Sequence, residues 1–335
     1  MAEKRFGTVT HWQGLSPTLA LLRLMPQEGF PFPDYRAGQY IALRREDCWL
    51  TRRVVDASGR TRYAPDLDEH GRQRRGAVTH SYSIASAPCE TKEQGWLEFY
   101  IVLEKGDAEY PGRLTESLFR VRPGHDDSVQ YVDHIAGDFT LEKRAAGFRN
   151  VLFVGTGTGL APFASMLKQL DWEARQGRRS DVRYTLLHAN RTYQELAYHA
   201  DLRQIEAAGR LDFVYVASVS RPVAGAWGDG LGAGRANNVL RHIFGLPLRE
   251  DEELKLAEQS DGDVALARAA LARAVKPALP AHVSREALLD RLSPADSVIL
   301  TCGNPSSMSD IRVVAEAVGI HFEKEDWKAV APPRV

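Results

Sequence analysis

Through the first 145 residues, apolar positions come in short runs that predict strands rather than helices. The runs fall at residues 6–12, 19–24, 39–43, 79–84 and 96–103. Turn formers such as Gly14, Pro26, Pro31, Pro33, Gly38, Pro88 and Gly95 separate them. Short strands spaced this way predict an antiparallel barrel or sandwich. The only helix signal here spans residues 112–120. Between 43 and 79 the pattern loosens: residues 48–55 and 60–64 read as a hairpin around Ser58-Gly59, and the charged stretch 66–76 reads as an exposed loop. Its Arg72, Arg74 and Arg75 read as a solvated face. From about residue 146 the period changes. Strands are predicted at 151–154, 182–188, 213–219, 297–301 and 320–323, and helices after residue 160, at 193–208 and at 310–318. This alternation predicts a doubly wound, parallel α/β sheet. The expected organisation is therefore two domains, residues 1–145 with an inserted loop near 44–79 and residues 146–335 with an insertion near 243–293. The second insertion is rich in Ala, Leu, Glu and Arg, with helices predicted at 261–275 and 284–292 and Ser284 as a cap. It reads as a helical decoration packed on its domain, or as a docking or dimerising surface.

Composition narrows the function classes. The chain has 335 residues, 44% hydrophobic and 26% charged, with a net charge of −1. Nothing in that balance draws it to nucleic acid or an anionic membrane. No apolar run approaches the roughly 18 residues of a membrane-spanning helix, and the first ten residues carry no signal-peptide core, so a cytoplasmic protein is expected. Cys48, Cys89 and Cys302 are far apart and form no disulfide framework, zinc pattern or iron–sulfur spacing. Any redox chemistry is then expected to use an organic cofactor, with its acceptor on another chain.

The chemistry-bearing stretch is residues 150–166, N-V-L-F-V-G-T-G-T-G-L-A-P-F-A-S-M. A strand gives way to Gly155, Thr156, Gly157, Thr158 and Gly159, and then to a helix with Pro162 in its first turn. Glycines there let backbone approach a diphosphate, and a helix start offers free N–H groups and the positive dipole end. A second such start is predicted where P-G-R-L-T places Gly112, Arg113, Leu114 and Thr115. On the strand before it, H-S-Y-S-I-A-S, residues 80–86, displays Tyr82 and Ile84 on one face and Ser81 and Ser83 on the other.

Three motifs together resemble the ferredoxin–NADP reductase superfamily. H-S-Y-S-I-A-S is similar to its R-x-Y-S flavin motif, G-T-G-T-G-L-A-P-F to its nicotinamide-diphosphate motif, and T-C-G-N-P at 301–305 to its C-G-x-P motif. They occur in the superfamily's order and spacing. The resemblance implies an FAD-binding β-barrel followed by an NADP-binding α/β domain, with NAD(P)H in the cleft between them. It implies that Tyr82 stacks on the isoalloxazine and that Ser83 bonds near flavin N5. Backbone of Tyr100, Ile101 and Val102 would contact flavin, and Gly112 and Thr115 would hold the FAD pyrophosphate. His80 stands where the motif has a phosphate-binding arginine; Arg44, Arg53, Arg74 and Arg75 are the candidates to supply that charge. Arg191, Ser220, Arg221 and Arg235 follow strands and suit a 2′-phosphate, whereas NAD would call for an acid on the ribose, the nearest being Asp229. Cys302, with Gly303 and Pro305, would position the nicotinamide. Glu323 would relay a proton near flavin, and Trp327 would cover the flavin face opposite Tyr82. The activity implied is electron transfer between NADP(H) and ferredoxin or flavodoxin through FAD. The alternatives are the reductase component of an oxygenase and a non-catalytic flavoprotein subunit.

Overall fold

The structure, a computed structural model, describes residues 3–56, 59, 61–104, 113–222, 230–260 and 262–325. These fall into two compact units, one ending at Thr140 and the other running Leu141–Glu325.

The first unit contains β1 (Lys4–Ser16), β2 (Leu19–Met25), β3 (Tyr40–Trp49), β4 (Thr51–Val55), β5 (Thr61–Pro65), β6 (Arg75–Ser83), α1 (Pro88–Gln94), β7 (Leu97–Val102), α2 (Arg113–Leu118) and β8 (Ser128–Ala136). Six strands make one antiparallel sheet in the order β6-β3-β8-β1-β2-β7. Alternate residues turn inward, as a pleated strand requires: Leu22 and Leu24, Ile41 and Leu43, Phe99 and Ile101 fill the core. The two edge strands meet where the Ala85 N–H donates to the Glu98 carbonyl at 2.8 Å and the Glu98 N–H donates to Ser86 Oγ at 3.1 Å. The predicted hairpin is present as β4–β5, with Val55 opposite Thr61. The loop reading of 44–79 is too long at both ends, because β3 continues to Trp49 and β6 begins at Arg75. Charge misled there: Arg45 is buried and paired to Asp126 through Nη1 at 2.9 Å and Nη2 at 2.6 Å, so a cation sits inside a strand. Arg75 lies over the Trp49 ring at 4.0 Å rather than on a purely solvated face. β8 escaped the pattern because Val129 and Tyr131 are its only fully buried side chains.

The second unit contains α3 (Leu141–Arg144), β9 (Asn150–Thr156), α4 (Ala161–Arg175), β10 (Arg183–Asn190), α5 (His199–Ala208), β11 (Phe213–Val219), β12 (Gly232–Ala233), α6 (Ala236–Phe244), α7 (Arg249–Gln259), α8 (Val264–Ala272), α9 (Arg285–Asp290), β13 (Ser297–Cys302), α10 (Pro305–Val318) and β14 (His321–Lys324). All six strands are parallel, in the order β12-β11-β10-β9-β13-β14. The chain winds outward from β9 to β12 and returns to β13 on the other side of β9. That reversal makes the β9/β13 boundary the switch point, where ligands of such sheets bind. The single helix expected at 193–208 is a 3-10 turn, Tyr193–Glu195, and then α5; Tyr198 between them has φ 59° and breaks the helix. The insertion is narrower than 243–293, since Ile243, Leu288 and Leu292 belong to the sheet-facing core. What remains is the pair α7 and α8, in which Glu250 is the only buried residue.

One buried titratable group gives this unit a pH dependence. His188 on β10 is fully buried, its Nδ1 3.0 Å from the Tyr215 hydroxyl. Burial, reinforced by His199, pushes its pKa from 6.5 down to about 3. Below pH 6.5 the unfolded chain takes up a proton that the folded chain refuses. The stability it confers is complete above 6.5 and is lost as pH falls toward 3, by at most about 1.4 kcal/mol per pH unit. Urea unfolding between pH 7 and pH 4.5 should show this slope, and His188→Phe should flatten it; a variant with the parent slope would assign the acid sensitivity elsewhere.

Candidate functional site

At the carboxyl ends of β9 and β13, the three glycines of the loop are required for three different reasons. A Cβ on Gly155 would press on Leu160 Cα at 3.2 Å and Phe163 at 3.3 Å, so this glycine lets the strand pack on α4. Gly157 has φ +57° and a Cβ there would meet nothing within 4 Å; it faces open space in a left-handed conformation. A Cβ on Gly159 would lie 2.1 Å from the Cys302 carbonyl oxygen, so the loop lies backbone-to-backbone on the segment after β13. Gly303, at φ +129°, repeats the contact from the other side, its added Cβ falling 2.1 Å from Thr156 Oγ1. Thr156 Oγ1 accepts the Asn304 N–H at 3.1 Å, and Asn304 Oδ1 accepts the N–H groups of Ser306 and Ser307, capping α10. α10 therefore begins at Pro305, five residues before its expected start, because Asn304 rather than the apolar period sets it. The loop passes through a 3-10 turn, Gly157–Leu160, into α4, whose Pro162 is buried in the first turn. Open space before Gly157 together with a helix start is a cradle for an anionic, extended ligand.

Cys302 is fully buried beside this cradle, and its Sγ donates to Glu325 Oε2 at 2.7 Å. Burial, with the adjacent carboxylate adding to it, holds the thiol well above its ordinary pKa, so it is a neutral packing and donor group. Glu323, the expected proton relay, is not the carboxylate that meets Cys302. On β14 it pairs with Arg144 at 2.9 Å and His321 at 3.1 Å. The carboxylate that reaches the cysteine is Glu325, two residues later, whose N–H donates to the Thr301 carbonyl at 3.0 Å. The chain offers two glutamates in E-K-E, and sequence alone does not show where β14 stops; that end decides which one turns inward.

The neighbouring strand ends gather cations. Arg191 follows β10, and Ser220 and Arg221 follow β11; Ser220 N–H donates to Asn190 and Arg221 N–H to Arg191, so the two segments lie side by side. β12 pairs Ala233 with Val219, and the Gly234 N–H donates to the Val219 carbonyl at 2.9 Å, so Arg235 follows β12 at the same end of the sheet at which Ser220 and Arg221 follow β11. The four predicted residues thus share one edge. Two of the arginines hold carboxylates: Arg191 pairs with Glu195 at 3.1 Å and Arg235 with Glu250 at 3.4 Å. Asp229, Gly112 and Trp327 lie outside the described residues.

In the first unit, β6 presents His80 opposite Leu43, Ser81 opposite Ala42, Tyr82 opposite Ile41 and Ser83 opposite Tyr40. The Tyr82 ring stands edge-on to Phe99, 6.5 Å between centroids, and burial raises its phenol pKa. Tyr100, Ile101 and Val102 lie on β7, at the sheet edge. Partial desolvation first and the Arg113 guanidinium second push His80 below its ordinary pKa, so His80 is largely neutral near pH 7. The cation whose charge reaches His80 is Arg113, which the sequence placed in the next motif without linking it to His80. Among the described residues of the first unit, five buried side-chain atoms lack hydrogen-bond partners, Ser81 Oγ, Arg113 Nε and Arg44 Nε together with Thr51 Oγ1 and Thr140 Oγ1. Orphaned polar atoms cost stability unless a ligand or water satisfies them, and the Ser81 hydroxyl and the Arg113 and Arg44 guanidinium N–H groups are donors suited to an anionic group. Thr115 joins the start of α2 to the segment just after β7. Its hydroxyl accepts the Glu104 N–H at 3.0 Å and donates to the Glu104 carbonyl at 3.2 Å, and α2 is only six residues long.

A family profile described as oxidoreductase NAD-binding domain matches residues 153–241, from the middle of β9 into α6. A flavodoxin/ferredoxin–NADP reductase of Buchnera aphidicola is 31% identical over 130 residues, covering 38% of this chain and 45% of that protein. The crystal structure of a ferredoxin NADP+ reductase from Neisseria gonorrhoeae, with bound FAD and NADP, covers 97% of this chain and 99% of its own, with a TM-score of 0.57 at 18% identity. The chain thus has the two-domain fold of that reductase, and within it an oxidoreductase NAD-binding segment. A flavohemoprotein of Halalkalibacterium halodurans is 26% identical over 223 residues, covering 67% of this chain and 45% of that protein. The matches thus span less than half of either curated relative. The antiparallel sheet and parallel α/β sheet expected of the superfamily are both present. Among the described residues no helix is long and apolar enough to cross a membrane, and no group of three or more metal-ligating side chains forms.

Proposed function

We propose that this protein is a member of the ferredoxin–NADP reductase superfamily, a flavin-dependent oxidoreductase that exchanges reducing equivalents between NADP(H) and FAD, and single electrons between FAD and ferredoxin or flavodoxin on a separate chain. The observation that carries the reading is the backbone joint of Gly159 with Cys302 and Gly303 with Thr156. It fixes the diphosphate loop and the nicotinamide-side cysteine as one rigid piece at the switch point. FAD, when bound, supplies the chemistry: it takes a hydride from nicotinamide and passes electrons on singly. The chain's residues bind, orient and shield. Gly157 admits the diphosphate, and the start of α4 receives its charge. Cys302 stays a neutral thiol whose proton is committed to Glu325, so it packs against the nicotinamide ring without attacking it. Ser220, Arg221 and Arg235 take the 2′-phosphate. In the first unit Ser81 and Arg113 satisfy flavin phosphate and Tyr82 offers its ring to the isoalloxazine, with Ser83 beside it.

A second acceptor class is favoured by one observation: the flavohemoprotein match covers more of this chain than the ferredoxin reductase match. In that reading the NADP(H)-to-FAD half-reaction is unchanged and the electrons go to another protein, an oxygenase or a haem partner. Steady-state diaphorase kinetics with NADPH and NADH test the cofactor assignment. NADPH is expected to be preferred in kcat/KM by roughly 100-fold, with Arg221→Ala erasing about tenfold of that, since a charge-assisted hydrogen bond contributes about 1.5–3 kcal/mol. Equal use of the two cofactors would refute the assignment of Ser220, Arg221 and Arg235 to a phosphate.

A further inference from the structure

Helix α7 belongs to the insertion, yet its first turn reaches the nucleotide edge. Glu250 is the helix's one buried residue, 5% exposed, while the side chain of its partner Arg235 is 70% exposed. A buried carboxylate normally has its charge answered by a buried partner. Here one oxygen accepts Asn238 Nδ2 at 2.7 Å and the other accepts Arg235 Nη1 at 3.4 Å. Asn238 is itself 1% exposed, and its Oδ1 accepts the N–H of Arg249 at 3.0 Å. The carboxylate is therefore fixed from below and cannot swing, whereas Arg235 is anchored by one nitrogen and keeps most of its fork for another acceptor. The neighbouring residue of the same turn, Arg249, donates to Ser306 Oγ at 2.8 Å, in the first turn of α10 just after Gly303–Pro305. Two consecutive residues of the insertion thus hold opposite ends of the nucleotide site.

We propose that Glu250 is a positioning residue for cofactor discrimination: the insertion holds Arg235 in the pose that receives a 2′-phosphate. The proposal rests on the NADP reading above. An unanchored, exposed arginine gives up its rotamer freedom when it grips a phosphate, whereas one already held by a fixed carboxylate gives up less. The opposing effect, repulsion between Glu250 and the phosphate, is offset by the Arg235 guanidinium that pairs with the carboxylate.

The test is calorimetric titration of the full-length holoprotein with 2′,5′-ADP and with 5′-AMP, which differ only by the 2′-phosphate. The parent protein is expected to prefer 2′,5′-ADP, and Arg235→Ala should show how much of that preference the arginine carries. Glu250→Gln is expected to cut the preference by roughly fivefold, the cost of ordering one long side chain, with 5′-AMP affinity unchanged. If Glu250→Gln lowers the melting temperature, Glu250→Asp is measured in its place. It keeps the charge, withdraws the oxygens from Arg235, and is expected to show the same loss. An unchanged or strengthened preference in these variants, with Arg235→Ala still costly, would overturn the proposal alone. A parent protein with no preference for 2′,5′-ADP would instead overturn the NADP reading, and the proposal with it.

Discussion

Alanine at position 159 is expected to cost the second unit about 3 kcal/mol or more and to abolish nicotinamide-nucleotide binding. The added Cβ would fall 2.1 Å from the Cys302 carbonyl oxygen, 2.3 Å from its carbon and 2.5 Å from the Gly303 nitrogen. All three are backbone atoms, so no side chain can swing aside. Overpacking in cores typically costs about 1–3 kcal/mol, and an obstacle made only of backbone belongs at the top of that range. Relief requires the glycine loop and the segment after β13 to part, which also moves Thr156 from Asn304 and loosens the cap of α10. Gly157→Ala is the control. Its Cβ meets nothing within 4 Å and its φ is +57°, so the stability cost is the left-handed strain alone, about 1 kcal/mol. Its effect on nucleotide binding should nevertheless be large, because the methyl occupies the approach to the diphosphate. Urea unfolding and nucleotide titration of the two variants separate the cases. Equal stability losses at 157 and 159 would contradict the distinct roles assigned to them.

Arg113→Ala is expected to weaken FAD retention by roughly 10–100-fold, while His80→Ala changes it less than about threefold. The first figure is the 1.5–3 kcal/mol of a charge-assisted hydrogen bond; the second reflects a neutral imidazole. Partial desolvation and the Arg113 charge lower the pKa of His80, a residue that is exposed on β6, so near pH 7 it brings little charge to a phosphate. The Arg113 Nε is buried without a partner, a donor placed for an acceptor that the protein does not supply. Flavin fluorescence on dilution measures both variants. A greater loss from His80→Ala would show that the histidine, and not Arg113, had taken over the work of the motif arginine.

Both results bear on what the chain discloses before it is folded. The two sheets were legible because their signals are local: period-two apolar runs such as 19–24, and the strand–glycine–helix sequence at 150–166. β8 and α7 were not, since β8 buries two residues and α7 one, and a pattern that faces no core has no period. Side chains joined across long separations were hidden for a different reason. Arg45 reaches Asp126 across 81 positions and Arg241 reaches Asp310 across 69, and no spacing rule connects such pairs. The same holds in the site. The three motifs located the loops, but the cation beside His80, the glutamate on Cys302 and the carboxylate behind Arg235 come from Arg113, Glu325 and Glu250, which only the fold brings to those places. The glycines were legible as a loop, but not their separate steric reasons: Gly159 and Gly303 serve the contact between two loops, and Gly157 faces open space.

The central claim is that this chain oxidises NADPH through a bound flavin. Anaerobic stopped-flow mixing of the FAD-loaded protein with NADPH tests it most directly. Loss of the oxidised flavin absorbance is expected, faster with NADPH than with NADH at equal concentration. A flavin that stays oxidised while both nucleotides bind would contradict the claim and leave a nucleotide-binding flavoprotein without the reductase reaction.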